Sequence, residues 1–269
     1  MLILTFAHLK SHSHICTFAH SHICTFAHSH ICTFAHSHIC TFKITFAHSY
    51  ILPIFAKTKK EKMTIDNTQL AEQLRMIKRS LRGVMNGPVS ASMREKGLNY
   101  KIIFGVELPR LQAMANEFPH TYELAAALWK ENIRECRLLA GMLMPTESMD
   151  AELARIWVEQ MQFVEEAECT VLYLFSHTPW ASVCAFEWIA EEGEMFQLCG
   201  YLLLARLFMQ GATPSERDMD EFLDQAFTAL RHPNTPVGRA ASKALIKFMD
   251  LGEKQEVRAE EMLRKLANS

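Results

Sequence analysis

The stretch Leu108-Pro-Arg-Leu-Gln-Ala-Met-Ala-Asn-Glu-Phe118 decides the fold class, because its apolar residues recur at helical spacing. They follow the i, i+3, i+4 rule, which places them on one face of a helix. The stretch 133–143 repeats the pattern. The apolar positions are Leu108, Leu111, Met114, Ala115 and Phe118, then Ile133, Cys136, Leu139, Ala140 and Leu143. No stretch combines strand-like alternation with hairpin turn residues, so the sequence predicts an all-α fold.

Three helix starts are marked by a threonine followed by a proline: Thr178-Pro179, Thr213-Pro214 and Thr235-Pro236. The hydroxyl can cap the helix, and proline is favoured at the first helical position. Thr213 with Glu216 also forms a capping box. Short connections between amphipathic helices favour antiparallel pairs stacked into a right-handed α-α superhelix. The expected helices are 67–84, 88–96, 109–118, 121–130, 132–144, 148–161, 164–176, 180–191, 194–210, 215–230, 235–250 and 254–267.

Residues 1–62 have a different composition from the rest of the chain. The octapeptide Thr17-Phe-Ala-His-Ser-His-Ile-Cys24 recurs identically at 25–32 and 33–40, so this part holds ten of the 13 histidines. A period of eight is shorter than the repeats that bury a shared core, which have about 20–50 residues. We interpret 1–62 as a low-complexity, disordered extension or an upstream reading frame, with the natural start at Met63.

Two further interpretations of residues 1–62 are a metal site in the repeats and a signal peptide or membrane span. An extended octapeptide places Phe, His, His and Cys on one face, where imidazole and thiolate could hold a soft metal ion. The repeats lack the paired Cys and His spacing of a zinc finger, however, and we expect no metal site. The apolar start of the chain has no basic segment before it, which argues against a signal peptide. No window reaches the roughly 20 apolar residues of a membrane span.

Residues 63–269 are long enough for one domain with a core of its own. Their four cysteines are scattered among apolar residues, which is typical of buried, reduced thiols in a cytoplasmic protein. This part holds 22 Lys and Arg against 29 Asp and Glu, a net charge of −7. The segment 66–101 alone carries a net charge of +4. DNA binding requires cations that replace the counterions of the phosphates. Only this segment offers a basic stripe that could supply them.

The basic residues of that segment lie at helical spacing. Positions i, i+3, i+4 and i+7 share one helix face, so the stripe is a candidate DNA-binding surface, although a solvated face would look the same. The stripe consists of Arg75, Lys78, Arg79 and Arg82, and Lys101 follows it.

The run Tyr100-Lys101…Phe104-Gly105-Val106…Pro109…Leu111, with Leu128-Trp129…Glu135…Leu139-Ala140 after it, resembles the HEAT-like-repeat DNA alkylation repair proteins, the AlkD-like glycosylases. The resemblance covers about residues 66–252. It implies an ARM/HEAT-like solenoid of five or six helical units whose concave face holds duplex DNA. Active members of this family remove N3- or N7-alkylated purines without a cofactor, while a carboxylate stabilises the developing oxocarbenium sugar.

The resemblance also implies positions for the site. The family's Trp and the Asp four residues later correspond to Val164 and Glu168, in the helix after the one that carries Trp157. Glu168 is therefore the candidate catalytic carboxylate, and Trp157 and Val164 are candidate groove-lining residues. Acid clusters such as 165–168 are, however, usually solvated faces.

Two further family positions differ in this chain. Gln197 or Leu198 stands where an arginine that holds a phosphate is expected, and neither can make a bidentate, charge-assisted contact. Of these two residues, Leu198 is the candidate groove-lining residue. Lys243 replaces a second indole and could still contact a phosphate, so it joins the candidate DNA-binding residues.

Three functions are compatible with these residues. The first is a monomeric, cytoplasmic HEAT-repeat protein associated with double-stranded DNA, whose glycosylase activity is reduced or lost. The second is an active alkylpurine DNA glycosylase that uses Glu168. The third is a protein-binding scaffold, which the acidic balance after residue 101 favours. Basic residues on the concave face would favour DNA, whereas a ring of Glu165, Glu166, Glu168 and Glu191 would favour the scaffold.

Overall fold

The structure is a computed structural model that describes the backbone of residues 52–268 and the side chains of residues 67–268. The octapeptide repeats, and the hypotheses about metal binding and disorder there, lie outside the described residues. The compact body of the described chain begins at Leu70. The proposed boundary at Met63 stays a prediction.

The described residues form twelve α-helices and no strands, which confirms the all-α prediction. The helices are α1 (Leu52–Gly83), α2 (Gly87–Glu95), α3 (Leu108–Ala115), α4 (Tyr122–Trp129), α5 (Arg134–Leu143), α6 (Ala151–Gln160), α7 (Val164–Tyr173), α8 (Ala181–Ile189), α9 (Glu194–Met209), α10 (Glu216–Leu230), α11 (Pro236–Met249) and α12 (Glu253–Ala267). Each corresponds to one predicted helix. The first begins at Leu52, well before the expected residue 67.

The helices from α3 onward pack in two layers. One layer runs α3, α5, α7, α9, α11, with each helix against the next in this series. The other contains α4, α6, α8, α10 and α12, where α8 packs on α10 and α10 on α12. The layers meet where α4 packs on α5, α8 on α9, and α10 on α11. The apolar stripe of each helix is buried between the layers, which leaves the outer face of the odd-numbered layer free for a site.

A helix begins within three residues of each of the three threonine-proline pairs, but only one of the three predicted threonine caps is confirmed. Thr235 accepts a hydrogen bond from the Gly238 amide and caps α11. The predicted box at Thr213 is wrong, because Ser215 caps α10 and forms the box with Asp218. Thr178 does not cap α8 either: its hydroxyl donates to the Phe175 carbonyl and closes a short 3-10 turn.

A buried carboxylate holds the segment before α3 in place. Glu135, on the first turn of α5, is fully buried and accepts hydrogen bonds from three successive amides. Its Oε2 lies 3.0 Å from the Phe104 nitrogen, and its Oε1 lies 2.9 Å from that of Gly105 and 3.2 Å from that of Val106. This contact explains why the Phe-Gly-Val run and the glutamate occur together in the sequence.

Replacing Gly105 with alanine should destabilise this segment. Gly105 has a φ of +75°, where a side chain is strained, and an added Cβ would lie 2.3 Å from the Asn86 carbonyl oxygen. We expect Gly105→Ala to lower the free energy of unfolding by about 2–3 kcal/mol, measured by urea denaturation. Gly97→Ala is a matched control, because Gly97 also has a positive φ but meets no atom within 4 Å. A loss as large in the control would refute the steric explanation.

The tryptophans and cysteines belong to the core. Trp129 and Trp157 stack with ring centroids 4.1 Å apart, and Trp180 and Trp188 pack together beside Phe175. Described cysteines are all free and buried, and burial raises the pKa of Cys136 and of Cys169 to about 12. No described helix is both long and apolar enough to cross a bilayer.

Candidate nucleic-acid interface

A groove of about 630 Å³ crosses the outer face of the odd-numbered layer. Leu108 of α3 and residues of α5, α7, α9 and α11 line it, so the stacking of the layer creates it. Its floor and walls are mainly apolar. The apolar lining residues are Leu108, Leu138, Cys169, Val171, Leu172, Leu202, Ala205, Met209 and Ile246.

Six charged side chains complete the lining. Arg134, Arg206, Lys243 and Lys247 supply four cations, and Glu165 and Glu168 supply two carboxylates. The groove therefore carries a net positive charge, in contrast to the net negative charge of residues 63–269. Low-dielectric walls focus the potential of such a groove and attract polyanions.

Arg134 is fixed in the groove wall by five hydrogen bonds to Glu165, Val106 and Glu135. Its Nε and Nη2 donate to the Glu165 carboxylate at 2.9–3.0 Å, and its Nη1 donates to the Val106 carbonyl at 3.0 Å and to Glu135 at 3.3 Å. Burial alone would lower the pKa of Arg134, but the bonds and charge of Glu165 outweigh it and raise that pKa. Arg134 and Glu165 are thus a structural pair and offer little to a ligand.

The other charges of the groove are available to a ligand. Glu168, Arg206 and Lys243 have no hydrogen-bond or ion-pair partner among the described side chains. Lys247 contacts Asp250 at 2.7 Å, a pair that solvent weakens because both groups are well exposed. Two free cations and one free carboxylate therefore face the groove from three neighbouring helices.

A buried polar cluster lies behind this wall. Arg137 Nε lies 2.7 Å from Glu166 Oε1, and the guanidinium covers the Trp129 ring at 4.3 Å. Burial raises the pKa of Glu166, although Arg137 opposes this effect. Burial and the charges of Glu166 and Glu165 also raise the pKa of the Tyr100 hydroxyl. Neither Arg137 nor Glu166 lines the groove, and this cluster instead fixes α7 against α5.

The structure separates the candidate residues that the family resemblance suggested. Glu168 and Lys243 both line the groove, on α7 and α11. Trp157 does not line it, because it stacks on Trp129 between the layers and is 3% exposed. Leu198 is buried in the core and also lies outside the lining, as does the half-buried Val164 at the start of α7. The Gln197 amide donates to the Glu191 carbonyl at 2.7 Å.

The basic stripe lies on α1. Arg75, Arg79 and Arg82 are exposed, whereas Lys78 donates to Glu131 at 2.6 Å. Lys101 is exposed in the segment before α3. None of these residues is part of the groove lining, so contact between them and DNA stays a prediction.

Arg134, Arg206 and Lys247 also line the groove but were not predicted from the sequence. A usable signal existed for the last two. Leu202, Ala205, Arg206 and Met209 recur at i, i+3, i+4 and i+7 on α9, and Lys243 and Lys247 are four residues apart on α11. Each helix therefore has a second face on which cations alternate with apolar residues, which is the composition of the groove.

Comparison with known proteins agrees with this architecture. A family model described as "DNA alkylation repair enzyme" matches residues 77–263. A solved structure has the same fold with a TM-score of 0.62 and 16% identity, covering 71% of this chain and 82% of that chain. It is described as "A new family of proteins related to the HEAT-like repeat DNA glycosylases with affinity for branched DNA structures". No curated protein matches the chain.

The family match extends over well more than half of the chain and includes every helix that lines the groove. The two-layered helical array agrees with the HEAT-like repeat fold of the similar structure. The chain belongs to the DNA alkylation repair enzyme family.

Proposed function

We propose that this protein binds branched DNA through the groove on its odd-numbered helix layer. The observation that carries the proposal is the pair of unpartnered cations, Arg206 and Lys243, beside exposed apolar residues in one groove. Lys247 lies one helical turn from Lys243 and adds a third cation. Phosphate contacts by such residues release counterions and supply most of the sequence-independent affinity for DNA.

Branched DNA suits this charge arrangement better than a continuous duplex does. The groove offers few cations, and residues 63–269 carry a net negative charge that repels long stretches of duplex. A branch point concentrates phosphates from more than one arm near a single small surface. The affinity described for the similar structure supports the same substrate class.

Binding of the full chain to a four-way junction, compared with a linear duplex of the same arm sequence, tests the proposal. We expect at least about tenfold tighter binding to the junction at 50 mM salt, and a steep loss of affinity at 200 mM. Equal affinity for the two DNAs, or no binding to either by folded protein, would contradict the proposal.

A second candidate function is supported by Glu168, an unpartnered carboxylate in the groove. It could stabilise the oxocarbenium sugar of an alkylated purine nucleotide and orient water. The indole of the family pattern is missing at Val164, and its arginine is missing at Gln197 and Leu198. We therefore propose that glycosylase activity is reduced or lost. Release of N7-methylguanine or N3-methyladenine that disappears in Glu168→Gln would establish the enzyme, and no release would exclude it.

The scaffold alternative has less support. Its ring of acids does not form, because Glu166 is buried and Glu191 contacts Arg155 at 2.7 Å. We further propose that the protein acts as a monomer in the cytoplasm, where buried thiols such as those of α5 and α7 remain reduced. A molecular mass measured in solution by light scattering checks the monomer.

A further inference from the structure

We propose that the groove binds one unpaired nucleobase that carries an exocyclic amino group, such as cytosine or adenine, at a DNA branch point. This inference rests on the proposed function, and it concerns the apolar part of the groove rather than its cations.

The size of the groove favours a single base. At about 630 Å³ it lies within the range of about 300–1,000 Å³ that is typical of pockets for one small organic molecule. A double helix is far too large to enter. Phosphates of the duplex arms can contact Arg206 and Lys243 from outside, while only a base displaced from the stack fits inside.

The apolar lining also favours a base. Met209 and Ile246 are 58% and 55% exposed, and Leu108 is 36% exposed. Exposing three large apolar side chains to water in one groove is unfavourable in free energy and is typical of a binding site. The outside of paired DNA offers phosphates and sugars, which bury little apolar surface. An unpaired base offers its two flat faces, and contact with such faces is independent of sequence.

The carboxylate supplies the selectivity. Glu165 accepts three hydrogen bonds from Arg134, whereas Glu168 has no hydrogen-bond partner among the described residues. When it is ionised, Glu168 accepts hydrogen bonds and donates none. Carboxylates accept from the N4 amino group of cytosine, and the N6 amino group of adenine presents the same kind of donor. Thymine has no exocyclic amino group, and its N3–H donor is flanked by two carbonyl oxygens that repel a carboxylate, so thymine should bind more weakly. Arg206 and Lys243 on the neighbouring helices remain free for the flanking phosphates.

Four three-way junctions with identical arms test this inference with the full chain. They carry at the branch an unpaired cytosine, an unpaired thymine, an abasic nucleotide or no unpaired nucleotide. We expect the cytosine junction to bind about tenfold tighter than the thymine and abasic junctions, because the abasic nucleotide keeps the phosphate and lacks the base. Equal affinity for the cytosine, thymine and abasic junctions, or tighter binding of thymine than of cytosine, would overturn the inference.

Variants of the lining connect the preference to the groove. The double variant Met209→Ser with Ile246→Ser should bind the cytosine, thymine and abasic junctions with nearly equal affinity. The control is Ile156→Ser with Val183→Ser, which changes two equally exposed residues of α6 and α8 outside the groove and should keep the preference. Glu168→Gln should reduce discrimination between cytosine and thymine, because an amide both donates and accepts.

The results separate this inference from the proposed function. Tight junction binding without a preference for the unpaired base overturns only the inference. A preference that survives in the double groove variant also overturns it, because the base would then lie elsewhere. The absence of junction binding altogether overturns the proposed function and the inference with it.

Discussion

Replacing Glu135 with alanine should lower the free energy of unfolding by about 3–5 kcal/mol. The carboxylate is fully buried and accepts from the amides of Phe104, Gly105 and Val106, besides contacting Arg134. Alanine would leave three buried amides without an acceptor, each at a cost of about 1–3 kcal/mol, partly recovered by relaxation. Urea denaturation followed by tryptophan fluorescence measures the change, as a lower midpoint at an unchanged slope.

Two further variants define the cause. Glu135→Gln keeps the shape but has one acceptor oxygen in place of two, so we expect a smaller loss than for alanine. Glu159→Ala removes an exposed carboxylate that is 3.8 Å from Arg155, and its midpoint should hardly move. A fully stable Glu135→Ala protein would show that the segment before α3 does not depend on this contact.

Removing the three cations of α9 and α11 should lower DNA affinity on the order of a hundredfold. The variant combines Arg206→Ala, Lys243→Ala and Lys247→Ala, which lie in the groove and do not hold the core together. If each contacts one phosphate, the slope of log K against log salt should fall by about 2.7. Fluorescence anisotropy with a labelled four-way junction at several salt concentrations measures both quantities.

The matched control removes the same charge from another surface. Lys254, Arg264 and Lys265 are exposed on α12 and lie outside the groove lining. Their replacement with alanine should leave the salt slope unchanged and reduce affinity only slightly through the altered net charge. Equal losses in the two triple variants would mean that the groove is not the DNA-binding surface.

Much of the fold could be predicted from the sequence because each helix has an apolar stripe and short polar connections. The predicted helices correspond one to one with the described helices α1–α12. The errors occur where local signals compete. The Thr178 hydroxyl bonds backward to Phe175 instead of forward into α8, and Ser215 caps α10 in place of Thr213. A capping residue predicts that a helix starts nearby, while packing decides which residue begins it.

The site was less predictable because it exists only after the odd-numbered helices stack. Glu168 and Lys243 were identified from the family resemblance and do line the groove. In the sequence, the spacing of Arg206 and Lys247 indicates a second face on each of their helices, but nothing local shows that these helices are neighbours. Trp157 is close to α7 in sequence, but it belongs to the other layer and stacks on Trp129.

Site-specific photocrosslinking tests the central claim, that the groove is the DNA-binding surface, most directly. A benzophenone amino acid at Ile246 lies in the groove, and the same group at Val183 lies on α8, outside the groove lining and similarly exposed. We predict that the full chain crosslinks to a four-way junction from position 246 and hardly at all from position 183. Crosslinking that is equal from both positions, or absent from position 246 while the junction stays bound, would contradict the account.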